Sequence, residues 1–566
     1  MSVHGSIAYD SYYYSRKKYS KTFPYYLARR DAEDPDYIYL IPQSEESIWS
    51  VSTGWDKNRK VYMEFGIDYN RTFGLHKTTA LILYNQSKYY SPSLQYYVPN
   101  AYQGLVGRLT YEYASRYLAE FNMGYNGTEN FAKGKRFGFF PAVSLGWVIS
   151  EEKFFPKNNI VKYLKVRGSY GEVGNDQIGG DRFLYLPSSY GAASDSGVNK
   201  YNFGLASNPY TSLMIVENKI GNPDLTWEKA KKMNVGVDIN LFNNCLTASF
   251  DIFKEKRNNI LANRSTSPMI IGANLPAYNF GEMENRGWEM DLNFRHHIQD
   301  FHYWARFNYS FARNEIIYMD EVQKRYDYQM TTGRRKNQFF GLIFDGYYNS
   351  WEEINALDRP KSSWSGNQLQ PGDVKYVDVN QDGVIDDYDM VPIGYTPVPE
   401  IIYGFSFGAQ YKGFDFSILF QGADNVSIKY FGRSMWPFAK GEESAKSLIK
   451  ERWTQERSEA GEKITFPRLS LNPNGETDHN YRPSTLWIRD ASYLRLKNLE
   501  VGYTFTGGFV KRLNLNSVRL YFNGSNLFTW TDVVDLDPEA PSRSGNVEIN
   551  TYPLQKVYNI GLNINF

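Results

Sequence analysis

The stretch Tyr558-Asn559-Ile560-Gly561-Leu562-Asn563-Ile564-Asn565-Phe566 decides the fold. Every second residue is apolar, and every residue between is Asn or Gly. Successive side chains of a strand point to opposite faces, so this pattern gives a β-strand with one oily and one polar face. The pattern recurs upstream. Val518, Leu520 and Phe522 alternate with Arg519, Tyr521 and Asn523. Tyr303, Ala305, Phe307, Tyr309 and Phe311 alternate with Trp304, Arg306, Asn308 and Ser310. Met233, Val235, Val237, Ile239 and Leu241 do the same with Asn234, Gly236, Asp238 and Asn240.

About fifteen such segments follow one another. They lie near 60–70, 76–86, 103–114, 117–127, 137–150, 161–172, 231–242, 245–257, 283–296, 300–313, 400–412, 413–422, 493–505, 516–526 and 556–566. Several run for roughly ten residues, the length of a tilted membrane strand, where a globular strand has about five or six. The connections come in two kinds. Asn243-Asn244 and Lys412-Gly413 are tight turns, whereas 173–230, 314–399 and 423–490 are long. Short turns on one rim and long loops on the other predict an all-β fold, a transmembrane antiparallel β-barrel with 314–399 and 423–490 as extracellular loops. A soluble sandwich would have shorter strands, and a propeller would show a repeat that this chain lacks. One helix is expected, at Glu442–Ala460, where Ala445, Leu448, Ile449 and Trp453 fall at helical spacing.

Composition narrows the function classes. The chain of 566 residues carries 63 Lys+Arg against 62 Asp+Glu, a net charge of +1. That balance argues against nucleic-acid binding and against a polybasic membrane anchor. Cys245 is the lone cysteine, so no intrachain disulfide forms, and its place inside a strand pattern reads as a small buried hydrophobe. Mean hydropathy is −0.54, yet 17% of residues are aromatic. No apolar run reaches the length of a membrane helix, while a barrel averages out as hydrophilic and needs aromatic girdles. Ser-Val-His-Gly after Met1 does not read as a secretory signal.

The sharpest chemical motif is Asp378-Val-Asn380-Gln-Asp382-Gly383-Val384-Ile385-Asp386-Asp387-Tyr388-Asp389. It fits a twelve-residue calcium loop, with oxygens from Asp378, Asn380 and Asp382, the Val384 carbonyl, Asp386 and a closing Asp389 where Glu is usual. The competing reading is an Asx-rich turn that needs only polar side chains. A structural Ca2+ ordering the 314–399 connection is the expectation, since crowded carboxylates repel without a cation. Trp351, Trp364 and Trp436 lie in polar loops and are candidates to stack on a sugar ring, against packing of the loops onto the barrel mouth. Enzymatic signals are poor: none of the six histidines stands in a zinc spacing. Glu151-Glu152 and Glu442-Glu443 read as solvated charges, and no catalytic residue is assigned.

A family resemblance rests on several stretches in order: Phe140-Pro-Ala-Val-Ser-Leu-Gly-Trp147, Leu164-Lys-Val-Arg-Gly-Ser-Tyr-Gly171, Gly221-Asn-Pro-Asp-Leu-Thr-Trp-Glu228, Gly281-Glu-Met-Glu-Asn-Arg-Gly287 and Leu486-Trp-Ile-Arg-Asp-Ala-Ser-Tyr-Leu-Arg-Leu-Lys-Asn-Leu499. Over residues 60 to 566 the chain resembles the C-terminal part of SusC/RagA-type TonB-dependent transporters of the Bacteroidetes outer membrane. The resemblance implies a plugged barrel, driven by TonB beneath a SusD-like lipoprotein, that imports glycans or peptides. It also implies that the last strand, ending in Phe566, is the signal read by the barrel-assembly machinery. Family barrels have roughly 22 strands. The sequence therefore reads as the C-terminal barrel portion, 1–566, without plug or signal peptide. The rival readings are an adhesin-like outer-membrane barrel and a truncated, inactive fragment. A secreted glycan-active enzyme is disfavoured by the missing catalytic constellation.

Overall fold

Phe242, Asn243 and Asn244 take left-handed backbone angles, with φ of 52°, 55° and 67°. Asn enters that region more readily than most residues, and turns of this hand match the twist of the strands they join. Lys412-Gly413, with φ of 44° and 93°, makes the same kind of turn. The computed structural model describes every residue except 31–33, 35–37, 43, 178–181, 193–199, 206–209, 214, 268–274, 365–368, 431–435, 438–446, 471–477, 535, 540–545 and 548–553.

Turns like these fold the chain into one antiparallel sheet of sixteen strands, each paired with its neighbours in chain order. The strands are β1 (Ser2–Ser20), β2 (Ser50–Phe73), β3 (His76–Tyr90), β4 (Asn100–Tyr113), β5 (Tyr117–Thr128) and β6 (Phe137–Val148). Then come β7 (Val161–Asn175), β8 (Glu228–Leu241), β9 (Leu246–Ala262), β10 (Tyr278–Ile298) and β11 (Phe301–Tyr318). The last are β12 (Ile401–Tyr411), β13 (Phe414–Asp424), β14 (Tyr493–Phe505), β15 (Ser517–Thr531) and β16 (Val557–Asn565). All fifteen expected segments are strands. The sixteenth, β1, escapes the pattern because Tyr12-Tyr13-Tyr14 and Arg16-Lys17-Lys18 break alternation. Its nineteen residues are held instead by an unbroken register with β2, from Ser2 opposite Asp68 to Ser20 opposite Ser50.

Because the strands alternate in direction, connections alternate between rims. One rim carries residues 74–75, 114–116, 242–245, 299–300 and 412–413, with somewhat longer links at 149–160 and 506–516. The other carries 21–49, 176–227, 319–400, 425–492 and 532–556, with shorter links at 91–99, 129–136 and 263–277. The expected asymmetry is present.

The outer face of the sheet is apolar over a defined height. On β11 it shows Phe301, Tyr303, Ala305, Phe307, Tyr309 and Phe311, and then changes to Arg313 and Glu315. Ten residue steps at about 3.3 Å, tilted by about 40°, make roughly 25 Å, the height of a membrane barrel's apolar band. Trp288 lies opposite Phe311 and Phe294 opposite Ala305, so β10 continues the band. Val235, Ile252, Leu145, Phe121, Ile82 and Phe65 carry it around the sheet, all exposed. An apolar surface of this extent suits lipid and would drive association in water. Among the described residues no helix is long and apolar enough to cross a membrane.

The largest packed core lies in the long loops. Leu342, Val374, Ile385, Tyr430, Phe466 and Trp487 are buried together, drawn from the connections after β11 and β13. The expected helix at Glu442–Ala460 is not one helix. A 3-10 turn at Ser447–Glu451 is followed by a separate helix α1 at Gln455–Glu459, and residues 438–446, with Ala445 and Glu442-Glu443, lie outside the described residues. Trp453 donates a backbone hydrogen bond to the Phe466 carbonyl, and Arg452 bridges to Phe466, which pulls this stretch into extended pairing. Thr454 then caps α1 by accepting from the Arg457 amide.

Candidate functional site: the lumenal wall and its loop platform

The face opposite the apolar band is polar and cross-linked by ions. Arg519 on β15 donates to Asp415 on β13 at 3.0 Å and to Glu500 on β14 at 2.6 Å. Arg495 on β14, almost wholly buried, pairs with Asp537 at 2.7 Å and also with Glu539, whose carboxylate takes Lys497 and the Tyr493 hydroxyl as well. This cluster fastens the loop after β15 to the wall. Glu400 likewise pins the loop before β12, here at the border above the apolar band: buried, it accepts from the outer-face Arg313 at 3.0 and 2.8 Å, from Arg335 and from Asn425. Such charge-assisted, multidentate bonds fix loop positions more sharply than neutral ones.

Two sequence readings change here. Glu152 is not a solvated charge: it is buried, paired with Arg116 at 3.2 Å and accepting from the Trp147 indole at 3.0 Å. Cys245 is not a buried hydrophobe. It sits in the turn before β9, half-buried, with Sγ 3.4 Å from His296 Nδ1.

The platform itself is organised by a buried polar node that no local pattern announces. Asp373 accepts from Arg468 at 2.6 Å and from Asn480 Nδ2 at 2.8 Å, while Asn480 Oδ1 accepts from the Val374 amide at 2.8 Å. His479 Nε2 donates to the Val374 carbonyl at 2.7 Å, and Nδ1 accepts from the Ser362 hydroxyl at 2.8 Å. Burial pushes the His479 imidazole below its ordinary range, so it is neutral, as this tautomer requires. The node ties 314–399 to 423–490. Its members stand 95 to 117 residues apart, beyond the reach of spacing arguments.

The acidic loop lies on the same platform. Asp378 accepts from the Gln381 and Gly383 amides at 2.7 and 2.8 Å. Asn380 and Asp382 bond each other through Nδ2–H to Oδ2 at 3.0 Å and amide to Oδ1 at 3.0 Å, and Asp382 also accepts from Val384. Asp389 is 0% exposed and accepts from Val379 at 2.8 Å and Asp386 at 2.9 Å. Burial, with the Asp378 charge nearby, pushes its carboxyl above the ordinary range. Asp386 caps the turn Asp387–Asp389. Among the described residues no three His, Cys, Asp or Glu side chains are grouped to hold a metal. The candidate oxygens of Asp378, Asn380, Asp382, Asp386 and Asp389 face the loop's own amides.

The three tryptophans part company. Trp436 lies tilted against Tyr481 with ring centroids 5.1 Å apart, and Trp364 lies under the Arg482 guanidinium at 4.6 Å, both against the platform core. Trp351 opens a short helix, α2 (Trp351–Asn355), and is 48% exposed. Phe566, just past β16, is exposed, and its carbonyl accepts from Asn516 at 2.6 Å.

Comparison with known proteins agrees with this architecture. The sequence profile of the TonB dependent receptor-like, β-barrel family matches residues 4–527. TonB-dependent receptor P3 of Formosa agariphila is 29% identical over 479 residues, spanning 81% of this chain and 45% of that one. TonB-dependent receptor SusC of Bacteroides thetaiotaomicron is 28% identical over 477 residues, spanning 83% of this chain and 44% of that one. The chain thus spans less than half the length of these relatives. Among solved structures, the RagAB peptide transporter overlays with a TM-score of 0.71 at 20% identity, covering 100% of this chain and 60% of that one.

Proposed function

The chain belongs to the TonB dependent receptor-like β-barrel family, and we propose that it is the barrel part of a SusC-type nutrient importer. It is an outer-membrane protein. In this reading a SusD-like lipoprotein closes over the loop platform, an oligosaccharide or peptide binds between them, and TonB acts through a plug domain outside this sequence. The observation that supports it best is the pairing of an apolar belt with a polar wall whose long loops are clamped into one packed platform. A channel that only leaked would not need loops pinned by buried ion pairs at Glu400, Arg495 and Asp373. No covalent chemistry is required of the wall: its charges hydrate and orient a polar cargo.

The test is genetic and biochemical. Deleting the gene for the whole protein should abolish growth on one glycan or peptide source, and uptake should stop when TonB is removed. A SusD-like lipoprotein should co-purify with the intact receptor from outer membranes. TonB-independent uptake would sink the energy-coupled reading, and a receptor that purifies alone would sink the lid.

Two finer assignments belong to the same proposal. The sequence pattern of Asp378–Asp389 supports a structural Ca2+, and the family resemblance supports Phe566 as part of the assembly signal. For the second, deleting Phe566 from the whole protein should slow membrane insertion more than it lowers the melting temperature of assembled barrels. Normal insertion with only a lower melting temperature would leave Phe566 as an apolar residue that stabilises the barrel against lipid and carries no signal.

A further inference from the structure

Arg286 stands at the upper border of the apolar belt, in the motif Gly281–Gly287 that the transport reading leaves without a role. The register makes its surroundings explicit. The last apolar row across four strands is Val235, Ile252, Trp288 and Phe311, each directly opposite the next. Two residues further toward the long-loop rim, the row on the same outer face reads Met233, Lys254, Arg286 and Arg313. Three cations are thus direct cross-strand neighbours, an arrangement that repels unless an anion lies between them. In the row beyond, Lys231 stands opposite Lys256.

Protein carboxylates answer these charges unequally. Arg313 is engaged by Glu400, and Lys254 reaches Glu284 at 2.9 Å. Among the described residues, the carboxylate that Arg286 reaches is Glu315, at 3.9 Å. The cationic side chains also stand prouder than their partners: Lys254 is 52% exposed against 17% for Glu284, and Arg286 62% against 44% for Glu315. The basic tips therefore project further outward than the carboxylates at the height where lipid head groups begin.

We propose that Arg286 and Lys254, supported by Arg313, form a docking site for a phosphate group of the outer-leaflet glycolipid. Guanidinium suits the planar, two-point recognition of a phosphate, and the flanking lysine adds a point charge. The apolar row of Ile252, Trp288 and Phe311 directly below takes the acyl chains of the same lipid. The inference rests on the reading that the long-loop rim faces outward.

The test uses the whole receptor purified in detergent, with phosphorylated lipid A and the same lipid A stripped of phosphate as probes. The wild type should bind the phosphorylated form more tightly by native mass spectrometry and melt at a higher temperature with it. Arg286→Gln together with Lys254→Gln should weaken that binding roughly thirtyfold, while Arg286→Lys keeps part of it. Equal binding of the two lipids, or unchanged discrimination in the double variant, would overturn the site. Orientation is checked separately on intact cells: in a Cys245→Ser background, Leu357→Cys on the 319–400 connection should react with a membrane-impermeant maleimide. Labelling without lipid discrimination removes only the docking site. Failure to label places Arg286 at the inner leaflet and overturns both the orientation and the proposal.

Discussion

Arg167 on β7 reaches across an entire strand to grip Asp251 on β9, with Nη1 and Nη2 each donating to a carboxylate oxygen at 2.7 Å. The strand between is β8, and the residue directly beneath the pair is Gly236, opposite both partners in register. A Cβ at Gly236 would lie 2.6 Å from Asp251 Oδ1 and 2.7 Å from Arg167 Cζ. The missing side chain is what lets the ion pair close. The device recurs at Gly502, where a Cβ would lie 2.7 Å from both Arg519 and Asp415.

Gly236→Ala should therefore break the bridge and destabilise the assembled barrel by about 1–3 kcal/mol in urea unfolding, the range for bonds to charged groups. The pair is partly exposed, so solvent screening places the value toward the lower end. Gly168→Ala is the control, because a Cβ there meets nothing nearer than the Asn234 carbonyl at 3.8 Å. Equal effects of the two substitutions would remove the steric account.

The pH dependence of the platform follows from His479. Its folded pKa lies below the ordinary 6.5 because burial disfavours the charged ring. A lowered folded pKa means that the folded state binds fewer protons, so stability is complete above about 6.5 and declines as pH falls below it. The protection of the Val374 and Asn480 amides, their exchange rates taken relative to the intrinsic rate at each pH, should fall as pH drops from 7.5 to 5.5, and His479→Gln should flatten that response. A flat response in the wild type would contradict the neutral imidazole.

What the sequence made legible depended on range. Alternation is a local signal, so the strands with a clean oily face were readable, and so were turns with their own chemistry, such as Asn243-Asn244. β1 was not, because its Tyr and Lys runs carry no period and its register comes from β2. The platform was less legible again. Trp453 and Leu448 share a helical spacing with their neighbours, yet backbone pairing between Trp453 and Phe466 decides the outcome. Asp373, His479 and Asn480 gave no signal, because a buried polar node needs partners from two distant loops, and one sequence does not show which residues meet.

The tryptophans separate packing from binding. Trp436→Ala removes a ring packed against Tyr481 at the edge of the platform core, and should lower stability by about 2–4 kcal/mol. Trp351→Ala, at an exposed helix start, should change stability by no more than about 0.5 kcal/mol. If Trp351 stacks on the cargo, that variant keeps its melting temperature and loses substrate affinity in binding assays on the intact receptor. Unchanged affinity would leave it an ordinary surface residue.

The acidic loop offers two roles that one pair of variants can separate. Asp389, fully buried, closes the loop by accepting from the Val379 and Asp386 amides, and that role needs no cation. Asp389→Asn replaces one acceptor oxygen by a donor and should cost about 1–3 kcal/mol of local stability with or without calcium. Asp378 and Asp382 lie nearer solvent, at the positions where a calcium loop draws its first ligands. Asp378→Ala together with Asp382→Ala should abolish calcium binding measured by calorimetry on the intact receptor. A ligand at a hundred times its Kd stabilises the state it binds by about 2.7 kcal/mol, so added calcium should raise the wild-type melting temperature and leave the double variant unmoved. If calcium moves neither protein, the motif is an Asx-rich turn that its own amides hold closed, and the bonds that Asp378, Asp382, Asp386 and Asp389 accept from those amides explain the acid content of the loop.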